Sequence, residues 1–242
     1  TSSVANLTVT DLAFRQVEAG DAHTVAIRTD GTLWAWGYNG NGQLGNGTLT
    51  STNNPVQVGS ATDWQAVAAG YNHTLGLKTN GSLWAWGYNN YGQLGIGTQI
   101  TTNIPVRVGS DVDWQAVVAG NYHTLGLKNN GSLWAWGNNN YGQLGLGNQT
   151  ATNIPVQVGS DLDWRSVTAG AQHTLAIKTD GTLWAWGYNS YGQLGNGTQT
   201  ATNLPVQVGS DTDWRMAAAG AQHTLAIKTD GTLWAWGHNG YG

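Results

Sequence analysis

The sequence contains no cysteine, one phenylalanine, one methionine and four prolines in 242 residues, and only 9% of its residues are charged. The absence of cysteine excludes disulfide bonds and thiolate chemistry. No apolar run approaches the ~18 residues of a membrane-spanning helix, so we predict no membrane span. The net charge is −4 and no basic cluster is present to neutralise phosphates, so we predict no nucleic-acid partner.

Glycine and tryptophan are abundant, with 36 and 14 residues, and low charge with many aromatic residues favours packed β structure over disorder. The chain repeats every 50 residues without insertion or deletion, as the spacing of His23, His73 and His123 illustrates. A fixed period in this range indicates stacked copies of one supersecondary unit, each of which needs its neighbours. We therefore predict a single domain, 1–242, with units at roughly 11–60, 61–110, 111–160, 161–210 and 211–242 plus 1–10.

Each repeat predicts four short strands. In the fourth repeat they fall at 164–168, 174–178, 183–187 and 205–208. Asp180-Gly181 predicts a two-residue hairpin turn between the second and third strands. In the third strand Trp184 and Trp186 share one face, and a smaller leucine and alanine share the other. The predicted fold class is an all-β propeller of five 50-residue repeats, with four antiparallel strands per blade.

The ends of the chain bear on ring closure. Strands one to three occur five times, whereas the fourth strand occurs four times. Residues 4–9 fall where a fourth strand would lie, so an N-terminal strand could complete the last blade and close a five-bladed ring. The alternative is that the five units are part of a larger ring. We expect a monomer if the ring closes and a homo-oligomer otherwise.

The segment from Trp186-Gly187 through Asn189 to the Gly-Gln-Leu-Gly at 192–195 recurs along the chain. It resembles the repeat of the regulator of chromosome condensation family, over essentially the whole sequence. The resemblance implies four-stranded blades, usually seven to a ring, and five units depart from that number. The near-identical units are similar to bacterial secreted or surface members, which implies an extracellular or cell-surface location.

Blade topology predicts which loops share a face. The repeat histidines and the loops between strands three and four should lie together. The tyrosines of this face are the candidate binding residues, namely Tyr88, Tyr91, Tyr141, Tyr188, Tyr191 and Tyr241. Rigid aromatic side chains among asparagine and glutamine suit recognition of a protein or a glycan. Packing within the repeat is the alternative explanation for these tyrosines.

Acidic residues collect on the opposite face. Pairs such as Asp111 and Asp113 resemble calcium ligands, but we favour Asx turns that start the inner strand. The repeat histidines could surround a metal, but we favour structural hydrogen bonding. Lysines such as Lys128 are expected to mark solvated strand ends. We predict no metal site and no cofactor.

No group of residues breaks the repeat in the way that a catalytic site would, so we do not expect an enzyme. The predicted function is a non-catalytic scaffold for protein or glycan recognition. The alternative is a structural subunit that self-assembles through its strand edges into a larger ring or polymer.

Overall fold

A computed structural model describes residues 13–240. This part of the chain forms nineteen β-strands and no helix, so it contains no helical membrane span. The strands are β1 (Phe14–Ala19), β2 (His23–Arg28), β3 (Leu33–Gly37), β4 (Thr52–Gln57), β5 (Trp64–Ala69), β6 (His73–Lys78), β7 (Leu83–Gly87), β8 (Thr102–Arg107), β9 (Trp114–Ala119), β10 (His123–Lys128), β11 (Leu133–Gly137), β12 (Thr152–Gln157), β13 (Trp164–Ala169), β14 (His173–Lys178), β15 (Leu183–Gly187), β16 (Thr202–Gln207), β17 (Trp214–Ala219), β18 (His223–Lys228) and β19 (Leu233–Gly237).

The strands form five antiparallel sheets in chain order. Four sheets have four strands each, β1–β4, β5–β8, β9–β12 and β13–β16, and the fifth consists of β17–β19. Each sheet is a meander of sequential neighbours, which is the construction of a propeller blade. The predicted all-β, five-bladed propeller is therefore confirmed. The N-terminal strand predicted at residues 4–9 lies outside the described residues.

The hairpin between the second and third strands differs from the prediction. The Arg28 amide donates to the Thr32 carbonyl at 2.9 Å, and the Gly31 amide donates to the Arg28 carbonyl at 3.0 Å. This pattern closes a three-residue loop in which Gly31 alone takes the left-handed conformation, with φ 79°. The Asp30 carboxylate accepts a hydrogen bond from the Thr32 amide at 3.0 Å, which holds the turn. The two-residue turn was therefore a wrong prediction.

Successive blades pack face to face through four apolar interfaces. Between the first two blades, Leu33 and Ala35 of β3 pack against Trp64 and Trp86 of the next blade. The indole of Trp86 is fully buried there, and a buried tryptophan removes ~150–250 Å² from water. The same arrangement recurs at the next three interfaces. The bulky and small faces predicted for the third strand thus pack against each other between blades.

Four of the five repeat histidines, His23, His73, His123 and His173, join neighbouring blades. The Thr124 hydroxyl donates to the Gln93 carbonyl at 2.8 Å and lies 3.2 Å from His73 Nε2. Because the single hydroxyl proton is already used, His73 Nε2 must carry the proton and donate it. The ring of His73 is neutral in this tautomer, and burial lowers its pKa to about 3. The structural hydrogen bonding predicted for the repeat histidines is confirmed for His23, His73, His123 and His173.

On the acidic face, Lys128, Lys178 and Lys228 each form ion pairs with two aspartates of the same blade. Lys128 Nζ lies 2.6 Å from an Asp111 carboxylate oxygen and 3.1 Å from one of Asp113. The ammonium also lies 5.0 Å and 4.7 Å from the ring centroids of Trp114 and Trp134. Burial lowers the pKa of Lys128, but the two carboxylates outweigh burial and the net pKa is raised.

These contacts correct two predictions. The aspartate pair binds the lysine of its own blade instead of making Asx turns, and Lys128 is buried rather than solvated. The sequence did not reveal this pairing because Asp111 and Lys128 are brought together only by the fold of the blade. Between residues 13 and 240, no group of three or more histidine, cysteine, aspartate or glutamate side chains is placed to hold a metal ion.

Candidate functional site

The candidate site is the blade face that carries the loops between strands one and two and between strands three and four, here called the aromatic face. Its first tyrosine cluster consists of Tyr71, Tyr88, Tyr91 and Tyr122. The ring of Tyr122 lies at the centre, with centroids 5.5 Å from Tyr71, 5.9 Å from Tyr88 and 5.2 Å from Tyr91. Because Tyr122 comes from the third blade and the others from the second, the cluster spans a blade junction.

A second aromatic cluster spans the third, fourth and fifth blades and consists of Tyr141, Tyr188, Tyr191 and His238. Tyr141 and Tyr188 have ring centroids 4.8 Å apart, and Tyr188 and Tyr191 are 6.2 Å apart. Tyr191 then contacts the imidazole of His238 at 4.6 Å. The interplanar angles of 64°, 72° and 73° show that these rings pack edge to face.

The structure brings five of the six predicted tyrosines into these two clusters, Tyr88, Tyr91, Tyr141, Tyr188 and Tyr191. The sixth, Tyr241, lies outside the described residues. Sequence reasoning missed Tyr71, Tyr122 and His238. A usable signal was present, because the repeats differ at the position of Tyr122, where the other copies have alanine, asparagine or glutamine.

The clusters offer exposed tyrosine rings to a partner. Tyr91, Tyr141 and Tyr191 are 36%, 37% and 40% exposed. Burial and the neighbouring tyrosines raise the pKa of Tyr122 above its usual value, so its hydroxyl is protonated at neutral pH. Contacts made by this surface would therefore depend on ring packing and neutral hydrogen bonds.

Buried glutamines form hydrogen bonds with the backbone of the loops that carry the tyrosines. Gln93 Oε1 accepts a hydrogen bond from the Tyr91 amide at 3.1 Å, and Gln193 Oε1 accepts one from the Tyr191 amide at 3.0 Å. In the first blade the equivalent Gln43 donates its Nε2 to Asn72 Oδ1 at 2.9 Å. Within the described residues, Gln93 Nε2 and Gln193 Nε2 are buried without an acceptor. A buried donor without an acceptor is unfavourable for folding.

A cavity of about 240 Å³ opens near the propeller axis on the aromatic face and is lined by all five blades. Each blade contributes an alanine and a glycine, and a Cβ on Gly70 would lie 2.2 Å from His73 Cε1 and 2.7 Å from the Gly120 carbonyl oxygen. Glycine is therefore required for close approach at the axis. Of the described residues that line this cavity, Asp21 is the only charged one.

Five meandering blades with tryptophan-filled interfaces define the protein as a β-propeller. Comparison with known families identifies the type. The RCC1-like domain model matches residues 2–242, and the chain therefore belongs to the RCC1-like domain family. The family resemblance inferred from the repeat is confirmed.

Solved structures agree with this assignment. Human WBSCR16 is 27% identical with a TM-score of 0.84, over 95% of this chain and 63% of that one. Prp20p from Saccharomyces cerevisiae is 22% identical with a TM-score of 0.81, over 97% and 58%. Yeast RCC1 (Prp20) bound to Kap60 is 24% identical with a TM-score of 0.80, over 92% and 55%. The chain spans less than two thirds of the length of each of these proteins.

Proposed function

We propose that this protein is a non-catalytic scaffold that recognises a protein or glycan through its aromatic face, outside the cell or at the cell surface. The observation that carries the proposal is the pair of tyrosine-rich aromatic clusters, each built across a blade junction. Yeast RCC1 (Prp20), which shares the fold, has been crystallised bound to Kap60, which supports a protein partner. The near-identity of the repeats, as in the bacterial secreted members of the family, supports the location.

Preorganisation favours binding by this face. Asn89 Nδ2 donates to the carbonyls of Thr98 and Ile100 at 3.0 Å and 3.1 Å, and its Oδ1 accepts from the Leu94 amide at 3.0 Å. These bonds tie the loop that carries Tyr91 to its own blade. A partner therefore meets rings that are already positioned, so less conformational entropy is lost on binding.

The experiment compares two double variants of the immobilised chain in protein capture and on a glycan array. Tyr91→Ala with Tyr191→Ala removes the exposed rings of both clusters. Val112→Ala with Leu162→Ala is the matched control, because these side chains are 55% and 58% exposed on the opposite face. We expect the tyrosine variant to lose at least about tenfold in affinity, equivalent to ~1.4 kcal/mol, and the control to bind as the unmodified chain does.

Binding that survives the tyrosine substitutions, or that is lost in the control variant, would contradict a site on the aromatic face. Because the face carries little charge, we also expect the affinity to change little between low and high salt. The proposed location is tested by fractionation of the source cells, and a protein confined to the cytosol would refute it.

A further inference from the structure

The fifth blade exposes a face that is buried in every other blade. The third-strand leucines Leu33, Leu83, Leu133 and Leu183 are 0% exposed because the next blade covers them. The equivalent Leu233 is 65% exposed. On the neighbouring strand Leu225 is 37% exposed, whereas Leu175 is 0% exposed. A cavity of about 610 Å³, lined in part by Leu225 and Ala235, lies against this face.

The first blade exposes the complementary face. Phe14 is 40% exposed, whereas Trp64 at the same position of the second blade is 3% exposed. Val17 is 61% exposed, whereas Val67 is 3% exposed. Phe14 packs against Trp36 with ring centroids 6.2 Å apart, so this face has the aromatic composition of the faces that cover a preceding blade.

The two open faces are the two halves of one interface that the chain already forms four times. In each case the leucine and alanine face of one blade meets the tryptophan-bearing face of the next. A valine lies beside the tryptophans at the first three interfaces, and Ala217 takes its place at the fourth. A hydrogen bond fixes the register, as between His173 Nε2 and Thr224 Oγ1 at 3.1 Å. His223 on the fifth blade and Thr24 on the first occupy the same two repeat positions.

We propose that the fifth blade of one chain packs against the first blade of a second copy, with His223 of one chain facing Thr24 of the other. The contact is head to tail and joins two different surfaces, so it generates either a closed ring or a filament. It uses blade faces, not the strand edges expected from the sequence. The proposal is independent of partner recognition, because neither surface includes the exposed tyrosines of the aromatic face.

The test measures the mass of the 242-residue chain in solution by sedimentation and light scattering over roughly 1–100 μM, a range that detects micromolar affinity. We expect the unmodified chain to form species larger than a monomer. Leu233→Asp places a charge on the exposed face of the fifth blade, and Val17→Asp places one on the exposed face of the first blade. Each variant alone should be at least about tenfold weaker in association, since a charge without a partner is buried at the contact.

Mixing the two variants is the decisive step. The intact fifth-blade face of Val17→Asp should bind the intact first-blade face of Leu233→Asp, so an equimolar mixture should form a 1:1 dimer and nothing larger. Leu162→Asp, at a side chain 58% exposed on a loop away from both surfaces, is the control and should assemble as the unmodified chain does. Circular dichroism checks that each variant is folded.

Three results would overturn the proposal. One is an unmodified chain that is monomeric at the highest concentration, which would also be the result if the chain covered these faces itself. Another is an unchanged mass for both aspartate variants. The third is a mixture of variants that stays monomeric. Loss of partner binding in the tyrosine variants would leave all three measurements unaffected. The test of self-association and the test of partner recognition therefore have independent outcomes.

Discussion

Acidification from pH 7 to pH 5 should strongly destabilise the propeller through the histidines between its blades. His73, His123 and His173 are 0% exposed and His23 is 3% exposed. Burial lowers the pKa of His73 and His123 to about 3, and that of His23 and His173 to about 4. In the unfolded chain each histidine has a pKa of ~6.5.

The folded pKa lies below the unfolded pKa, so the unfolded chain takes up protons first as the pH falls. The contribution to stability is complete above pH ~6.5 and is lost progressively down to the folded pKa values. At pH 5, which is ~1.5 units below the unfolded pKa, each histidine contributes ~2 kcal/mol less to the free energy of unfolding, at ~1.4 kcal/mol per pH unit. The four residues together lose ~8 kcal/mol, which is comparable to the total stability of a typical domain.

The assay is denaturant unfolding at pH 7, 6 and 5, followed by the fluorescence of the tryptophans at the blade interfaces. Ordinary carboxylates titrate near pH ~4, so the window from pH 7 to pH 5 isolates the histidines. His123→Gln removes one of the four groups, and its free energy of unfolding should fall with pH about three quarters as steeply. A free energy of unfolding that is constant between pH 7 and pH 5 would refute the buried, neutral histidines.

Two further predictions concern packing and charge. Gly70→Ala places a Cβ 2.2 Å from the ring of His73, and we expect it to lower the free energy of unfolding by ~2 kcal/mol or more, measured by thermal melting. An unchanged melting temperature would show that the His73 ring and the neighbouring backbone can move to make room for the added methyl group. Lys128→Met leaves Asp111 and Asp113 without their shared cation, and we expect a loss of ~1–2 kcal/mol that shrinks in high salt. A loss equal at low and high salt would indicate that the lysine acts through packing alone.

The sequence by itself determined the blade. Its 50-residue period, the alternation in Leu-Trp-Ala-Trp-Gly and the turn residues after each second strand are local features, so they predicted strand type, strand order and the two faces of β15. The specific Gly-Gln-Leu-Gly core likewise indicated the family. These signals succeed because strand alternation and the position of a turn depend on residues that are neighbours in the chain, although the length of the turn was predicted wrongly.

Tertiary structure decided which side chains from different loops and blades meet. The contact of Tyr122 with Tyr91 and the binding of Lys128 by Asp111 join residues that are 31 and 17 positions apart, and no local pattern records either pair. The exposure of Leu233 and Val17 is likewise a property of packing, since the leucines equivalent to Leu233 and the valine equivalent to Val17 in the second blade, Val67, are buried. Similar local sequence therefore specified the same three inner strands in all five blades, whereas the neighbour on each face decided whether a blade face is core or surface.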